Sequence, residues 1–165
     1  MPGGMLEGWK DFYVAVASAT SALAGLVFVA LSINLEKILA IPGLPARGAE
    51  TVILLAGALI VALVTLIPSQ SSLMLGVELG AVGLVAWGAP FALQIAAGRR
   101  RTYVKRWHFT LRAVLHQAAT LPILVGGALM VAVETSAPYW LALGVVLSLC
   151  LGLLNAWVLL VEILR

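Results

Sequence analysis

Apolar residues along this chain form five long runs, separated by short stretches that contain proline, charged residues or both. A bilayer core of about 30 Å requires about 20 predominantly apolar residues in one helix. The runs have this length, and none of them shows the strict apolar–polar alternation of a barrel strand. We therefore predict an all-α polytopic membrane protein whose five transmembrane helices cover residues 12–33, 50–67, 73–96, 113–133 and 139–161.

Composition agrees with this pattern and leaves no room for a soluble domain. Hydrophobic residues make up 62% of the 165 residues and charged residues 10%, whereas soluble domains carry roughly 25% charged residues. We expect one transmembrane domain over residues 1–165. Cys150, the only cysteine, lies in an apolar run, which excludes a disulfide framework and predicts a buried, inert thiol.

The distribution of lysine and arginine predicts the orientation of the five helices. Nine of the ten basic residues fall on one side, in the 34–49 and 97–112 loops and at the C-terminus, and only Lys10 falls on the other. Short loops rich in lysine and arginine stay in the cytoplasm. The N-terminus is therefore expected outside and the C-terminus in the cytoplasm.

The 99–112 stretch holds six of the ten basic residues. On a helical wheel its aromatic and aliphatic residues share one face and its basic residues another, which is typical of an amphipathic segment lying along the membrane surface. Nucleic acid is not an expected partner, because these aromatic residues face lipid instead of forming stacking platforms. A docking site for another protein stays open as an alternative. The candidate contacts to anionic lipid headgroups are Arg99, Arg100, Arg101, Lys105 and Arg106.

Ionisable residues inside apolar runs are the main functional candidates in a membrane protein. The candidate polar-layer or pore residues are Glu78, Arg112, His116, Glu162 and Glu50. Glu78 forms an outer layer and is expected to bond Gln70, to contact a neighbouring subunit or to line a pore. The other four form an inner layer, together with Gln94, Gln117 and Asn155. There we expect Arg112 to pair with Glu162 or Glu50.

Small residues in two of the runs indicate close helix packing. The first run carries a seam with alternating spacings of three and four residues, at Ala15, Ser18, Ala22, Gly25, Val29 and Ser32. The third run contains Gly76 and Gly80 in a G-x-x-x-G arrangement. Such residues let helix backbones approach closely, within one subunit or between subunits. Because little of the chain lies outside the membrane, we expect a homo-oligomer or a membrane-protein partner.

Motifs that would indicate catalysis are missing from the sequence. It contains no glycine-rich phosphate loop, G-x-S-x-G, H-E-x-x-H or C-x-x-C pattern. We therefore expect no catalytic, cofactor-binding or metal-binding residues. The expected function is that of a non-enzymatic integral membrane protein, an accessory or regulatory subunit acting through intramembrane helix contacts. The alternative is a small homo-oligomeric ion channel or transporter, with polar layers at Glu78 and at Arg112 and His116.

Several stretches carry a family resemblance. They are Asp11-Phe12-Tyr13, AGLVFVALSINL at 24–35, PSQ at 68–70, LGVEL at 75–79 and NAWVLLVEI at 155–163. Together they resemble a group of small bacterial multi-pass membrane proteins, some of them labelled as modulators of the FtsH membrane protease. The resemblance implies a location in the plasma (inner) membrane and a regulatory association with a membrane protease. It implies no catalytic residues.

Overall fold

The chain is helical throughout the part that the structure describes. The computed structural model covers the backbone of residues 6–99 and 106–164 and the side chains of residues 6, 8–92 and 110–162. Within these residues a 3-10 turn over Glu7–Trp9 precedes six α-helices. They are α1 (Lys10–Ile33), α2 (Leu35–Ala40), α3 (Leu44–Thr65), α4 (Ser72–Arg99), α5 (Arg106–Val131) and α6 (Ala137–Leu164). The predicted all-α class is confirmed.

Five of these helices, α1 and α3 to α6, are long and apolar enough to cross a membrane. They coincide with the five runs read from the sequence, as expected of a multi-pass membrane protein. The remaining helix, α2, has six residues and is not predicted by the apolar pattern. It lies in the segment between the first two long helices, which was expected to be a loop.

The start of α3 differs from the prediction. This helix begins at Leu44 instead of position 50, after Gly43, which adopts a left-handed conformation with a φ of 91°. Pro45 therefore lies in the first helical turn. A proline there costs little, because the first N–H groups of a helix have no intrahelical acceptor. The prediction that residues 34–49 form a loop was wrong for positions 44–49, and the extra turns bring Arg47 into the helix.

Helices α3, α4, α5 and α6 form a four-helix ring, and α1 packs against the outside of α3. The interior of the ring is mainly apolar and also buries the hydroxyl groups of Thr120 and Ser148, which donate to backbone carbonyls. It contains fully buried side chains from all four helices, among them Ala58, Val61, Leu79, Ile123, Leu141 and Val145. This centre holds the bundle together and separates its two ends.

Glycines bring α4 and α5 into close contact. A Cβ atom placed on Gly127 of α5 would lie 2.6 Å from the backbone nitrogen of Gly80. One placed on Gly76 would lie 2.6 Å from the Cγ2 atom of Val131. The predicted helix-packing residues Gly76 and Gly80 therefore serve an interface within the subunit, where backbone approaches backbone.

The expectation for Cys150 was wrong, because this thiol is exposed. The buried row of α6 passes through Val145, Ser148 and Gly152 at helical spacings of three and four residues. Cys150 falls between these positions and faces away from the bundle.

Candidate functional site

Polar side chains gather at one end of the bundle, where α3 and α5 begin and α6 ends. This end is called the basic end below, and it is the one predicted to face the cytoplasm. A cavity of about 640 Å³ opens here between the three helices. Its polar lining residues are Arg47, Glu50, Arg112, His116, Asn155 and Glu162. The structure thus brings the four inner-layer candidates together around one space, and it adds Arg47, which sequence reasoning had assigned to a loop.

Helical spacing explains why these side chains share the cavity. Residues three, four or seven positions apart lie on the same face of an α-helix. Arg47 and Glu50 are three apart on α3, and Arg112 and His116 are four apart on α5. Asn155 and Glu162 on α6 are seven apart. Each helix therefore contributes one polar pair to the lining.

An ion pair joins α5 to α3 across the cavity. The Arg112 guanidinium donates from Nη2 to Oε2 of Glu50 at 2.5 Å. The Glu50 side chain is only 3% exposed and that of Arg112 is 25% exposed. The expected pairing of Arg112 with an inner-layer carboxylate is confirmed, and the carboxylate is Glu50. Such a pair is required at this depth, since a buried charge without a counter-charge is strongly destabilising.

The second guanidinium of the cavity, Arg47, lies in a mixed electrostatic environment. The negative charges of Glu50 and Glu162 attract it, whereas the positive charge of Arg112 repels it. The Nε atoms of Arg47 and Arg112 are both buried without a hydrogen-bond partner. A buried donor left unpaired costs about 1–3 kcal/mol. Each of the two guanidinium groups therefore has one enclosed N–H donor without a partner.

His116 connects the cavity to α4. Its ring is buried, and its Nε2 atom lies 3.0 Å from the carbonyl oxygen of Ala86. Four residues after Ala86 comes Pro90, which has no N–H to donate to that carbonyl. Because a carbonyl oxygen can only accept a hydrogen bond, the Nε2–H of His116 is the donor and replaces the missing backbone N–H. His116 thus stabilises a helix–helix contact at the point where proline interrupts the hydrogen bonding of α4.

Glu78 lies apart from this group, near the start of α4 at the opposite end of the bundle. Gln70, in the turn between α3 and α4, donates from Nε2 to Oε2 of Glu78 at 2.8 Å. This is one of the contacts expected from the sequence. It gives the carboxylate a partner within the subunit, in keeping with the rule that polar groups inside apolar surroundings are hydrogen-bonded.

The small-residue seam of α1 lies on the exposed face of this helix in the part of the chain that the structure describes. Its members are all exposed: Ala15, Ser18, Ala22, Gly25, Val29 and Ser32. The opposite face of α1 is buried against the bundle through Tyr13, Val16, Thr20 and Val27. A Cβ atom built on Gly25 would have no neighbour within 4 Å. The seam is therefore an unused packing surface, unlike the glycines of α4.

The five predicted lipid-headgroup residues cannot be placed in the same detail. The side chains of Arg99, Arg100, Arg101, Lys105 and Arg106 lie outside the described residues. Arg106 begins α5, so the predicted amphipathic segment is helical from that position onward.

Comparisons with known proteins find no similarity. No protein-family model matches the chain, and neither a curated protein nor a solved structure matches it. The resemblance to FtsH modulators, and the plasma-membrane location that it implies, stay predictions. The function has to be argued from the residues themselves.

Proposed function

We propose that this chain is a non-enzymatic integral membrane protein that acts through helix contacts within the bilayer, as an accessory or regulatory subunit. The observation that carries the proposal is the unused seam of α1. Only 11% of the residues in the apolar stretch of α1 are buried, against 50% in α3. Because so little of α1 is buried in its own bundle, most of its surface can pack against another helix.

The occupant that fits this seam best is a second copy of the same chain. Lipid is as apolar as leucine, so helices associate in a membrane by close packing, which small residues permit. All copies inserted in one membrane share an orientation, and two α1 helices would therefore run parallel. Because the seam repeats at spacings of three and four residues, the seams of two parallel copies of α1 can pack against each other about a two-fold axis.

The apolar centre of the bundle supports an accessory role over the channel or transporter alternative. A pathway for ions normally has ionisable or broken-helix elements near the middle of the membrane. Between Glu78 at one end and the cavity at the other, the bundle is filled by side chains such as Leu79, Ile123 and Leu141. A pathway could then run only between subunits, which the experiment below tests.

The decisive experiment measures association in liposomes. Fluorescently labelled protein is diluted over a range of protein-to-lipid ratios, and dimer formation is followed by energy transfer. Gly25→Leu should weaken association roughly tenfold or more, because the added side chain separates the two backbones. Ala19→Leu is the matched control, since Ala19 is an exposed small residue of α1 outside the seam. Equal association of the two variants would refute the role of the seam.

A second measurement separates the accessory role from the channel. Liposomes containing the protein should release ions no faster than protein-free liposomes. Glu78→Gln is the informative variant, because glutamine can still accept the hydrogen bond from Gln70 while removing the charge. Ion flux that depends on the protein and disappears in Glu78→Gln would refute the accessory role and indicate a channel.

A further inference from the structure

The cavity at the basic end has a polar wall and an apolar rim. Guanidinium, carboxylate, imidazole and amide groups form the wall. The rim on the α5 and α6 side consists of Leu111, Leu115 and Leu154, which are 43%, 42% and 59% exposed. Exposed leucines on membrane-spanning helices face the acyl chains of lipid. The cavity therefore combines an apolar approach with a polar interior.

We propose that this cavity binds the headgroup of a zwitterionic phospholipid, one that carries a phosphate and an ammonium group. The phosphate lies at Arg47 and Arg112, and the acyl chains pass over the leucine rim between α5 and α6. This site is independent of the α1 seam and goes beyond the proposed function.

Donors for the phosphate are present and unused. Arg47 lines the cavity, and its guanidinium makes no ion pair or hydrogen bond with a described residue. The Asn155 side chain lines the same cavity at 6% exposure, and no described residue hydrogen-bonds its amide. Guanidinium groups bind phosphate oxygens well because their planar N–H donors match the geometry of the anion. Phosphate oxygens would satisfy donors that the protein leaves open.

The balance of charge favours a zwitterion over a simple anion. Among the described residues, two guanidinium groups and two carboxylates line the cavity, and their formal charges cancel. Arg112 and Glu50 already pair with each other. This leaves the guanidinium of Arg47 to contact a phosphate and the carboxylate of Glu162 to contact an ammonium group. An anion without a cationic group would instead be repelled by Glu162.

Depth in the membrane also matches a lipid headgroup. Arg47 is the fourth residue of α3, Arg112 the seventh residue of α5, and Glu162 the third residue from the end of α6. Headgroups lie just outside the hydrocarbon core, at the ends of spanning helices. The charged wall is thus close to the level of phospholipid phosphates. In the rim, Leu111 is level with Arg112, Leu115 lies about one turn deeper than Arg112, and Leu154 lies about two turns deeper than Glu162.

Binding can be tested on the full-length chain after delipidation in detergent, by titration followed with native mass spectrometry. The probes are phosphatidylethanolamine, phosphatidylglycerol and diacylglycerol with identical acyl chains, together with soluble phosphoethanolamine. Phosphatidylethanolamine should bind most tightly and diacylglycerol least. Equal or tighter binding of phosphatidylglycerol would refute the proposed preference for a zwitterionic headgroup. If soluble phosphoethanolamine binds as tightly as the lipid, the proposal that the ligand is a membrane lipid is refuted.

Variants then locate the site. Arg47→Gln should weaken phosphatidylethanolamine binding roughly tenfold or more, the effect of one charge-assisted hydrogen bond. Lys37→Gln is the control, because Lys37 is an exposed basic residue of α2 outside the cavity, and it should leave binding unchanged. Leu154→Trp narrows the rim without touching a charge and should also weaken binding, even if Arg47→Gln does not fold. Wild-type affinity in either cavity variant would overturn the proposal.

Discussion

The ion pair between Arg112 and Glu50 offers the sharpest test of how the basic end is stabilised. Arg112→Ala removes the guanidinium and leaves the Glu50 carboxylate, whose side chain is 3% exposed, without this counter-charge. Removing one partner of a buried pair costs about 3–5 kcal/mol. Because a quarter of the Arg112 side chain is exposed and the positive charge of Arg47 still attracts Glu50, water and Arg47 offset part of that cost. We therefore expect a loss of about 3 kcal/mol in the free energy of unfolding.

The measurement is reversible unfolding in mixed micelles with increasing denaturing detergent, followed by circular dichroism. Lys37→Ala is the control, because it removes an exposed positive charge of α2 at the same end of the bundle. An exposed charge contributes at most about 1 kcal/mol. Equal unfolding free energies for the two variants would mean that Arg112 is only another anchor to headgroups.

A double-mutant cycle isolates the contact itself. Glu50→Ala and the double variant with Arg112→Ala complete the cycle. Residues in direct ionic contact couple by about 0.5–3 kcal/mol, and the burial of Glu50 places this pair in the upper part of that range. The double variant should therefore be more stable than the sum of the single effects predicts. Strictly additive effects would show that the observed contact contributes no net coupling.

Two further predictions use the same unfolding assay. Gly127→Ala should destabilise the bundle by about 1–3 kcal/mol, since its Cβ would meet the Gly80 backbone at 2.6 Å. Gly80→Ala is the control and should be neutral or stabilising, because its Cβ would meet nothing within 4 Å. Equal losses of unfolding free energy in the two variants would contradict this packing of α4 on α5. His116→Ala should cost about 1–3 kcal/mol by leaving the Ala86 carbonyl without a donor. The cost should fall in a Pro90→Ala background, which restores the backbone donor, and an unchanged cost would refute this role of the imidazole.

The five long helices could be predicted because a membrane imposes a simple requirement on sequence. Every backbone polar group must be satisfied within the segment, and the segment must be long enough to cross the core. The start of α3 could not be placed by that rule, because Pro45 reads as a break when only the apolar run is considered. Gly43 and Pro45 together are a helix-start signal, a left-handed cap followed by proline in the first turn.

The same error hid part of the cavity. Ionisable residues within the predicted spans were selected as candidates, and the structure brings Glu50, Arg112, His116 and Glu162 together. Arg47 fell in a predicted loop and was counted only as a charge that sets orientation. The choice between Glu50 and Glu162 as the partner of Arg112 depends on how α3 and α6 are rotated about their axes. A single sequence does not specify that rotation, although it narrows the partner to two residues.

The two small-residue patterns show why sequence alone could not separate internal from external packing. Gly76 and Gly80 on α4 and the seam around Gly25 on α1 give the same signal, small residues at helical spacing. In the structure α4 meets a glycine of α5 at Gly127, so its small residues are already in use. Around Gly25 the described residues provide no such partner. Small residues contribute to association only where another backbone approaches them, and for the exposed seam of α1 that approach is the proposed contact with a second copy of the chain.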